Sequence, residues 1–479
     1  MKASIFNILI ENQKYKNWLI YNSLRNSLLE IDESTKQYLE KAESLPVKEP
    51  EGCENIKSED KDILIEYGFI VDENCDELKE AIRIDDEAHN YIWSSKFMSL
   101  TICPTYDCNL QCPYCYEVYN RDSLSYGIMG DDVQNNIIQL YAEHCQINTG
   151  LDDPNSNTDS ITWYGGEPLL NTGIIRYVQD KINSLAVKYK RNIKRTIITN
   201  GILLNKENQK MLKENGIQHV QITVDGPGII HNKRRYFPEA PDKSFEIIMN
   251  NIRNIDDYFI ISMRINTDKE NSPYLDKLLE ELIKWNVWPN KRMNISIANV
   301  QCDWNKDSKI SLKINDFEKI QRDFRMNQVR RFNEMSNNKK AKLKLDYPST
   351  NKLGSVCGFV NHKNSFAIGP QGELYTCWKS VGNKKYRIGN VKDLLNNNKI
   401  SNEGKQRFHS HFREEIKCYS CKIFPICSLS CPSLYLQTGE IYREQLCSKW
   451  KYMLKDTLLF NYDCQNKSPD LKETNDNCI

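Results

Sequence analysis

The run CNLQCPYC places Cys108, Cys112 and Cys115 at C-x3-C-x2-C spacing, directly after a β-branched run, SLTIC, that starts at Ser99. Three thiolates on one tight loop suit three irons of a 4Fe-4S cube and leave the fourth iron open. A structural zinc site closes with four ligands, and the nearest extra candidate, Cys103, falls on the strand rather than the loop. The loop therefore favours a cluster with an open position over a zinc knuckle. A second set follows: Cys357, Cys377, then Cys418, Cys421, Cys427 and Cys431 as C-x2-C-x5-C-x3-C, then Cys447. Taken alone, that set suits zinc as well as iron-sulfur. Of the other seven cysteines, Cys103, Cys145 and Cys302 read as buried apolar fillers, and Cys53, Cys75, Cys464 and Cys478 as surface or tail thiols.

The elements that position these residues belong to a chain of 479 residues, long enough for two or three domains. With 39% hydrophobic and 27% charged residues it is globular rather than disordered or fibrous. Lys and Arg number 65 against 64 Asp and Glu, a net charge of +1, so no global field argues for nucleic acid or an anionic membrane as partner. The start, MKASIFNILIENQKYK, has an apolar run too broken for a secretory signal, and no segment approaches the roughly 18 apolar residues of a membrane span. The expected setting is the cytoplasm. There, an odd total of 17 cysteines points to metal or redox use rather than disulfides.

Residues 96–300 alternate short β-branched runs with amphipathic helices, and six strands are expected, beginning near Ser99, Ser160, Lys194, His219, Phe259 and Met293. This α/β pattern implies parallel crossovers, as an open doubly wound sheet or a partial (β/α)6 TIM-like barrel. In a barrel the chemistry sits at the C-terminal strand ends, where the unusual residues lie. Residues 1–95 read as paired strands with three helices, a winged-helix-like module. Ser34 and Gln37 have capping-box spacing at the start of its first helix. Residues 301–350 read as a helical bridge with a helix over about 314–332, residues 351–464 as a Cys-rich metal-organised domain, and residues 465–479 as a polar tail. The Lys/Asn-rich stretch near 340 reads as a solvated face.

On these residues the chain resembles the radical S-adenosylmethionine (SAM) superfamily, whose signature is C-x3-C-x2-C after the first strand of a partial barrel, with an aromatic residue before the third cysteine; Tyr114 fills that place. The resemblance implies that SAM chelates the open iron and is cleaved to a 5′-deoxyadenosyl radical, which abstracts a substrate hydrogen. It assigns SAM contacts to Gly165, Gly166 and Glu167 of a GGE motif, Thr199 and Asn200 of TNG, and Arg264 and Asn266. Glu167 would accept from the SAM ammonium, Asn200 would suit the ribose hydroxyls and Arg264 the carboxylate. Asp225, Gly226, Pro227, His231 and Arg235 resemble a D-G-x-x-x-x-H-D-x-x-R run of peptide-modifying members, with Asn232 in place of the acid. His231 reads as a structural hydrogen-bonding residue under a loop rather than an acid/base.

The second cysteine set is similar to the SPASM extension of that family, which carries two auxiliary 4Fe-4S clusters. By position, Cys418, Cys421, Cys427 and Cys447 would ligate the distal cluster fully. Cys357, Cys377 and Cys431 would hold the nearer one and leave an iron open, three clusters in all. Anaerobic sulfatase maturases have a further cysteine where Lys363 stands and an Asp where Trp378 stands, which weakens a formylglycine-forming reading. His362 or a tail cysteine is a candidate to close the open iron. The expectation is a SPASM peptide maturase that joins a cysteine sulfur to carbon as a thioether. Its implied partners are a Cys-rich precursor peptide, with the leader held by the N-terminal module, and a flavodoxin- or ferredoxin-type electron donor. Alternatives are a carbon–carbon or carbon–oxygen crosslink, sulfatase-type oxidation of Cys or Ser, or a zinc-organised peptide-binding protein without catalysis.

Overall fold

The computed structural model describes residues 1–44, 57–115, 117, 127–149, 157–300, 310–335, 357, 362–395, 417–427, 447 and 449–466. Cys53, Cys302, Cys431 and Cys478, the Lys/Asn-rich stretch near 340 and nearly all of the 465–479 tail lie outside the described residues.

Six strands follow one another in the order of the chain: β6 (Ser99–Ile102), β7 (Thr158–Trp163), β8 (Asn192–Thr199), β9 (His219–Thr223), β10 (Ile260–Thr267) and β11 (Met293–Asn299). Each pairs in parallel with the next. Strictly sequential order means every crossover runs the same way, so the intervening helices collect on one face. A doubly wound sheet would reverse at a switch point, and none occurs. The arrangement is the one expected of a partial barrel. Alternation along the strands agrees: Ile102, Ile161, Trp163, Val220, Met263 and Ile265 share one core with the helices, while Ser262, Arg264 and Asn266 alternate onto the other face and keep some exposure.

The sheet is larger than the six expected strands. Strand β12 (Ser365–Ile368) adds in parallel beside β6, pairing Ile368 with Ile102, and β13 (Glu373–Tyr375) and β14 (Gly389–Asn390) follow in antiparallel order. The beginning of the Cys-rich region is therefore continuous with the central sheet.

The N-terminal segment forms an antiparallel sheet of β2 (Asn7–Asn12), β3 (Asn17–Asn22) and β4 (Ser27–Ile31), and a small pair of β1 (Lys2–Ala3) with β5 (Ile70–Val71). Helices α1 (Glu33–Ser44), α2 (Ser58–Glu66) and α3 (Glu77–Ser94) accompany them. The expected Ser34/Gln37 capping box does not form. Asp32 caps instead, accepting from Thr35 N at 2.7 Å and Ser34 Oγ at 2.9 Å, while Gln37 donates to Glu33 Oε1 at 3.1 Å. An ionised acid one residue before the helix satisfies an orphan N–H and complements the helix dipole better than a hydroxyl two residues later. Among the described residues no helix is long and apolar enough to cross a membrane.

Candidate active site

Strand β6 ends beneath a backbone strap, Cys103–Asp107, that leads into the cysteine loop. Two glycines at the end of β7 are what let the strap lie there. A Cβ on Gly165, whose φ is +121°, would strike the Thr105 carbonyl, and one on Gly166 would overlap the Tyr106 and Asp107 carbonyls. The room so made is used for hydrogen bonds, Gly166 N to Thr105 O at 3.2 Å and Glu167 N to Asp107 O at 2.8 Å. The glycine pair thus admits protein backbone at the base of the loop.

Glu167 is fully buried and its carboxylate accepts from Leu169 N (3.1 Å), Thr199 Oγ1 (2.7 Å) and Asn200 N (2.8 Å). Burial pushes its pKa up against those donors. It ties the ends of β7 and β8 together, and on Oε2 one acceptor position is left. Asn200 turns its amide toward the loop, donating to Asn109 Oδ1 at 2.7 Å and approaching Cys108 Sγ at 3.7 Å. Arg264 and Asn266 meet each other, Arg264 Nε donating to Asn266 Oδ1 at 2.9 Å.

Residues that motif reading left unassigned to the site hold its other side. Asp225, fully buried at the end of β9, accepts from the Tyr114 hydroxyl and from Asn266 N at 2.9 Å. Arg235 Nη1 lies 3.8 Å from Asp225 Oδ2 and donates to Tyr114 Oη at 2.8 Å. Arg234 stacks over the Tyr114 ring at 4.9 Å and pairs with buried Asp268 at 2.8 Å. Gln111 N donates to Tyr236 O at 2.8 Å, stitching the loop to the end of the same run. His231 Nδ1 accepts from Asp225 N at 3.2 Å, and burial, with Arg235 and Arg234 nearby, holds its pKa well below the ordinary range. It is the structural histidine expected. The run from Asp225 to Arg235, read as a family motif, and the aromatic Tyr114 before the third cysteine are the sequence signals for this cluster.

None of Cys108, Cys112 and Cys115 is in a disulfide, and the first two rest against the central core. Burial pushes Cys108 up to about 12 and raises Cys112, with Arg235 and Arg234 the charges that favour the Cys112 thiolate. Among the described residues, no group of three or more His, Cys, Asp or Glu side chains is gathered closely enough to hold a metal ion. The donor set nonetheless fits an iron-sulfur cluster in kind: three unoxidised cysteines on one loop, anchored at its base and flank, with guanidinium charge beside them.

Described members of the second cysteine set lie in separate places. Cys377 follows the β12–β13 hairpin, which is fixed to the strap by Tyr106 Oη donating to Glu373 Oε1 at 2.5 Å. Trp378 packs against Tyr164, at the end of β7, with ring centroids 6.2 Å apart. Cys418, Cys421 and Cys427 share a compact turn over residues 417–427, with Cys421 N donating to Cys418 O at 3.0 Å and Cys427 N to Phe424 O at 3.1 Å. Lys451 Nζ reaches Cys447 Sγ at 3.4 Å. His362 is fully buried, stacked on Phe97 at 4.0 Å. Cys103 and Cys145 are buried, as expected.

Comparison with known proteins agrees with this geometry. Residues 102–282 match the model of the radical SAM superfamily. A cysteine-type anaerobic sulfatase-maturating enzyme of Clostridium perfringens is 34% identical over 145 residues, 29% of this chain and 35% of that protein. The radical SAM cyclopropyl synthase TigE of Paramaledivibacter caminithermalis is 25% identical over 255 residues, 48% of this chain and 51% of that one. The matches thus span between about a third and a half of the curated relatives' length. Among solved structures, native anSMEcpe with bound AdoMet and Cp18Cys peptide superposes with a TM-score of 0.53 at 22% identity, covering 77% of this chain and 98% of that one. Streptococcus suis SuiB bound to the precursor peptide SuiA gives 0.51 at 15% identity, covering 93% and 99%. At these identities the structural likeness concerns the fold. The family-model match, together with the cysteine loop and the GGE and TNG strand ends, identifies a radical SAM domain over residues 102–282, and the sequential parallel sheet agrees with it.

Proposed function

We propose that the protein is a radical SAM enzyme that modifies a ribosomally synthesised precursor peptide, forming a thioether between a cysteine sulfur and a carbon. Cys108, Cys112 and Cys115 would hold the SAM-binding 4Fe-4S cluster. Gly165, Gly166, Glu167, Thr199, Asn200, Arg264 and Asn266 would shape the SAM site, with Tyr114 buttressing the loop. Bound there, SAM and the cluster supply a one-electron reduction and a carbon radical able to remove a hydrogen atom from a C–H bond. The chain's own part is placement: Asp225 and Arg235 fix the loop through Tyr114, and Arg264 with Asn266 presents polar groups at the end of β10.

The observation that carries the reading is the pairing of β12 with β6 together with the Tyr106–Glu373 bond. These bring Cys377, which follows the hairpin and is assigned by position to the nearer cluster, close to the strap of the first cysteine loop. If Cys357, Cys377 and Cys431 hold a cluster with one iron left open, that iron would offer a site for a substrate thiolate. Cys418, Cys421, Cys427 and Cys447 would ligate the distal cluster. The N-terminal module would act as a winged-helix-like holder of the peptide leader, and the electron donor would be a flavodoxin or ferredoxin in the cytoplasm. The sulfatase-maturating relative favours a second reading, oxidation of Cys or Ser to formylglycine; Trp378 against Tyr164, where an acid would be needed, weighs against it.

Co-expression with a Cys-rich peptide encoded beside this chain, followed by tandem mass spectrometry, tests the reading. A loss of two hydrogens per crosslink, with fragmentation stopped between a cysteine and its partner, is expected. An unmodified peptide mass alongside active SAM cleavage refutes thioether formation.

A further inference from the structure

The N-terminal sheet has two apolar faces. Trp18 and Ile20 of β3, with Leu9 and Ile31, belong to the module's own core. The alternate residues Leu19 and Tyr21, with Ile10, pack instead against Ile426 and against Leu454 and Leu458 of the C-terminal helix Trp450–Asn466. A third contact lies beside these. Phe6, Leu24 and Ala81, from the strand connections and α3, enclose Phe424, and Cys418, Tyr419 and Cys421 pack onto that same cluster. Ser23 Oγ, on a buried serine, donates to Lys422 O at 2.5 Å, a part-buried bond to the backbone between Cys421 and Cys427.

We infer that the N-terminal module is the socket of the Cys418–Cys427 turn: Phe6, Ser23 and Leu24 hold that turn in the shape that takes up its metal cluster. The inference rests on the proposed assignment of this turn to an auxiliary cluster. It gives the module a second task besides any leader binding, and it explains why the turn needs a partner. Residues 418–427 contain only two single-turn 3-10 helices, Cys418–Ser420 and Phe424–Ile426; Tyr419 meets Phe424 edge-on within the turn, and the rest of their apolar burial comes from the module and, for Ile426, from the C-terminal helix as well. Leu24 and Ser23 are positioning residues, acting on the cysteines through Phe424 and Lys422.

Iron and acid-labile sulfide are measured in anaerobically purified, reconstituted full-length protein. Cys421→Ala fixes the amount of iron that belongs to this turn, expected at about four atoms per chain. Leu24→Asp, which places a charge among Phe6, Ala81 and Phe424 while sparing the separate cluster around Ile20 and Phe69, is expected to lose the same iron, and Leu24→Met to retain it. Ser23→Ala is expected to keep its iron but to surrender it to a ferrous chelator severalfold faster than wild type. Ser23→Ala decides the matter if Leu24→Asp does not fold. If Cys421→Ala loses iron while Leu24→Asp retains it, or while Ser23→Ala is stripped at the wild-type rate, the socket inference is overturned and the cluster assignment stands. If Cys421→Ala loses no iron, the cluster assignment itself falls, and the inference with it.

Discussion

Replacing Asp225 by Asn probes the centre of the cluster that steadies the cysteine loop. Asp225 is fully buried and Arg235 is 9% exposed, so the substitution strips a guanidinium of its nearest carboxylate where water cannot replace it. Breaking a buried pair from one side costs about 3–5 kcal/mol. The lower end applies, because Arg235 Nη1 is 3.8 Å from the carboxylate and is bridged to it by the Tyr114 hydroxyl. For a domain of this size about 3 kcal/mol corresponds to a fall in melting temperature of roughly 6–12 °C. Tyr114→Phe removes only the bridging hydroxyl and should cost about 1 kcal/mol, or roughly 2–4 °C. Combining Asp225→Asn with Arg235→Met removes both charges and should recover most of the loss, since an apolar replacement of a buried pair is close to neutral. Differential scanning calorimetry on the three variants is the assay. If Asp225→Asn melts no lower than Tyr114→Phe, or if the double variant recovers nothing, the charge-pair argument is wrong.

Cys112→Ala should abolish reductive production of deoxyadenosine from SAM, and turnover measured by liquid chromatography that survives the change would refute the loop assignment. Gly166→Ala should cost about 1–3 kcal/mol by overpacking the Asp107 and Tyr106 carbonyls, and should lower iron retention at the loop; an unchanged iron content would show that the strap can move aside. Asp159 is buried with Arg191 Nη2 at 2.6 Å and His144 Nε2 at 3.1 Å. Burial raises its pKa, but the bonds from His144 and Arg191 outweigh that and leave it below the ordinary value. A lowered carboxylate pKa contributes stability that is present above about pH 4 and is lost as pH falls through the lower folded value. Urea midpoints of Asp159→Asn should therefore lie below wild type at pH 7 and converge with it in acid, and a constant gap down to about pH 2 would contradict the assignment.

The six parallel strands and the loop at their ends were legible because each strand writes its own signal: β-branched alternation, then a cysteine run, GGE, TNG or an Arg-x-Asn. What those triplets do was less legible. Glu167 and Asn200 suggested ligand contacts, yet both are also spent on the protein, joining β7 to β8 and β8 to the cysteine loop. Asp225 and Arg235 stood in a visible motif, but their partner Tyr114 is 111 residues from Asp225, and no local pattern encodes such a meeting. The addition of β12 to β6 was hidden for the same reason: Ser365 and Ser99 pair across the whole barrel sequence. The N-terminal sheet was readable, and NWLIYN carried a further signal in plain view. Four consecutive apolar or aromatic residues, Trp18 to Tyr21, give a strand no polar face to show to water, which is the pattern of a strand covered on both sides. One cover is the module's own core. The other is the C-terminal helix and the cysteine turn, so the module that periodicity alone left as a separate subdomain is packed against the Cys-rich end of the chain.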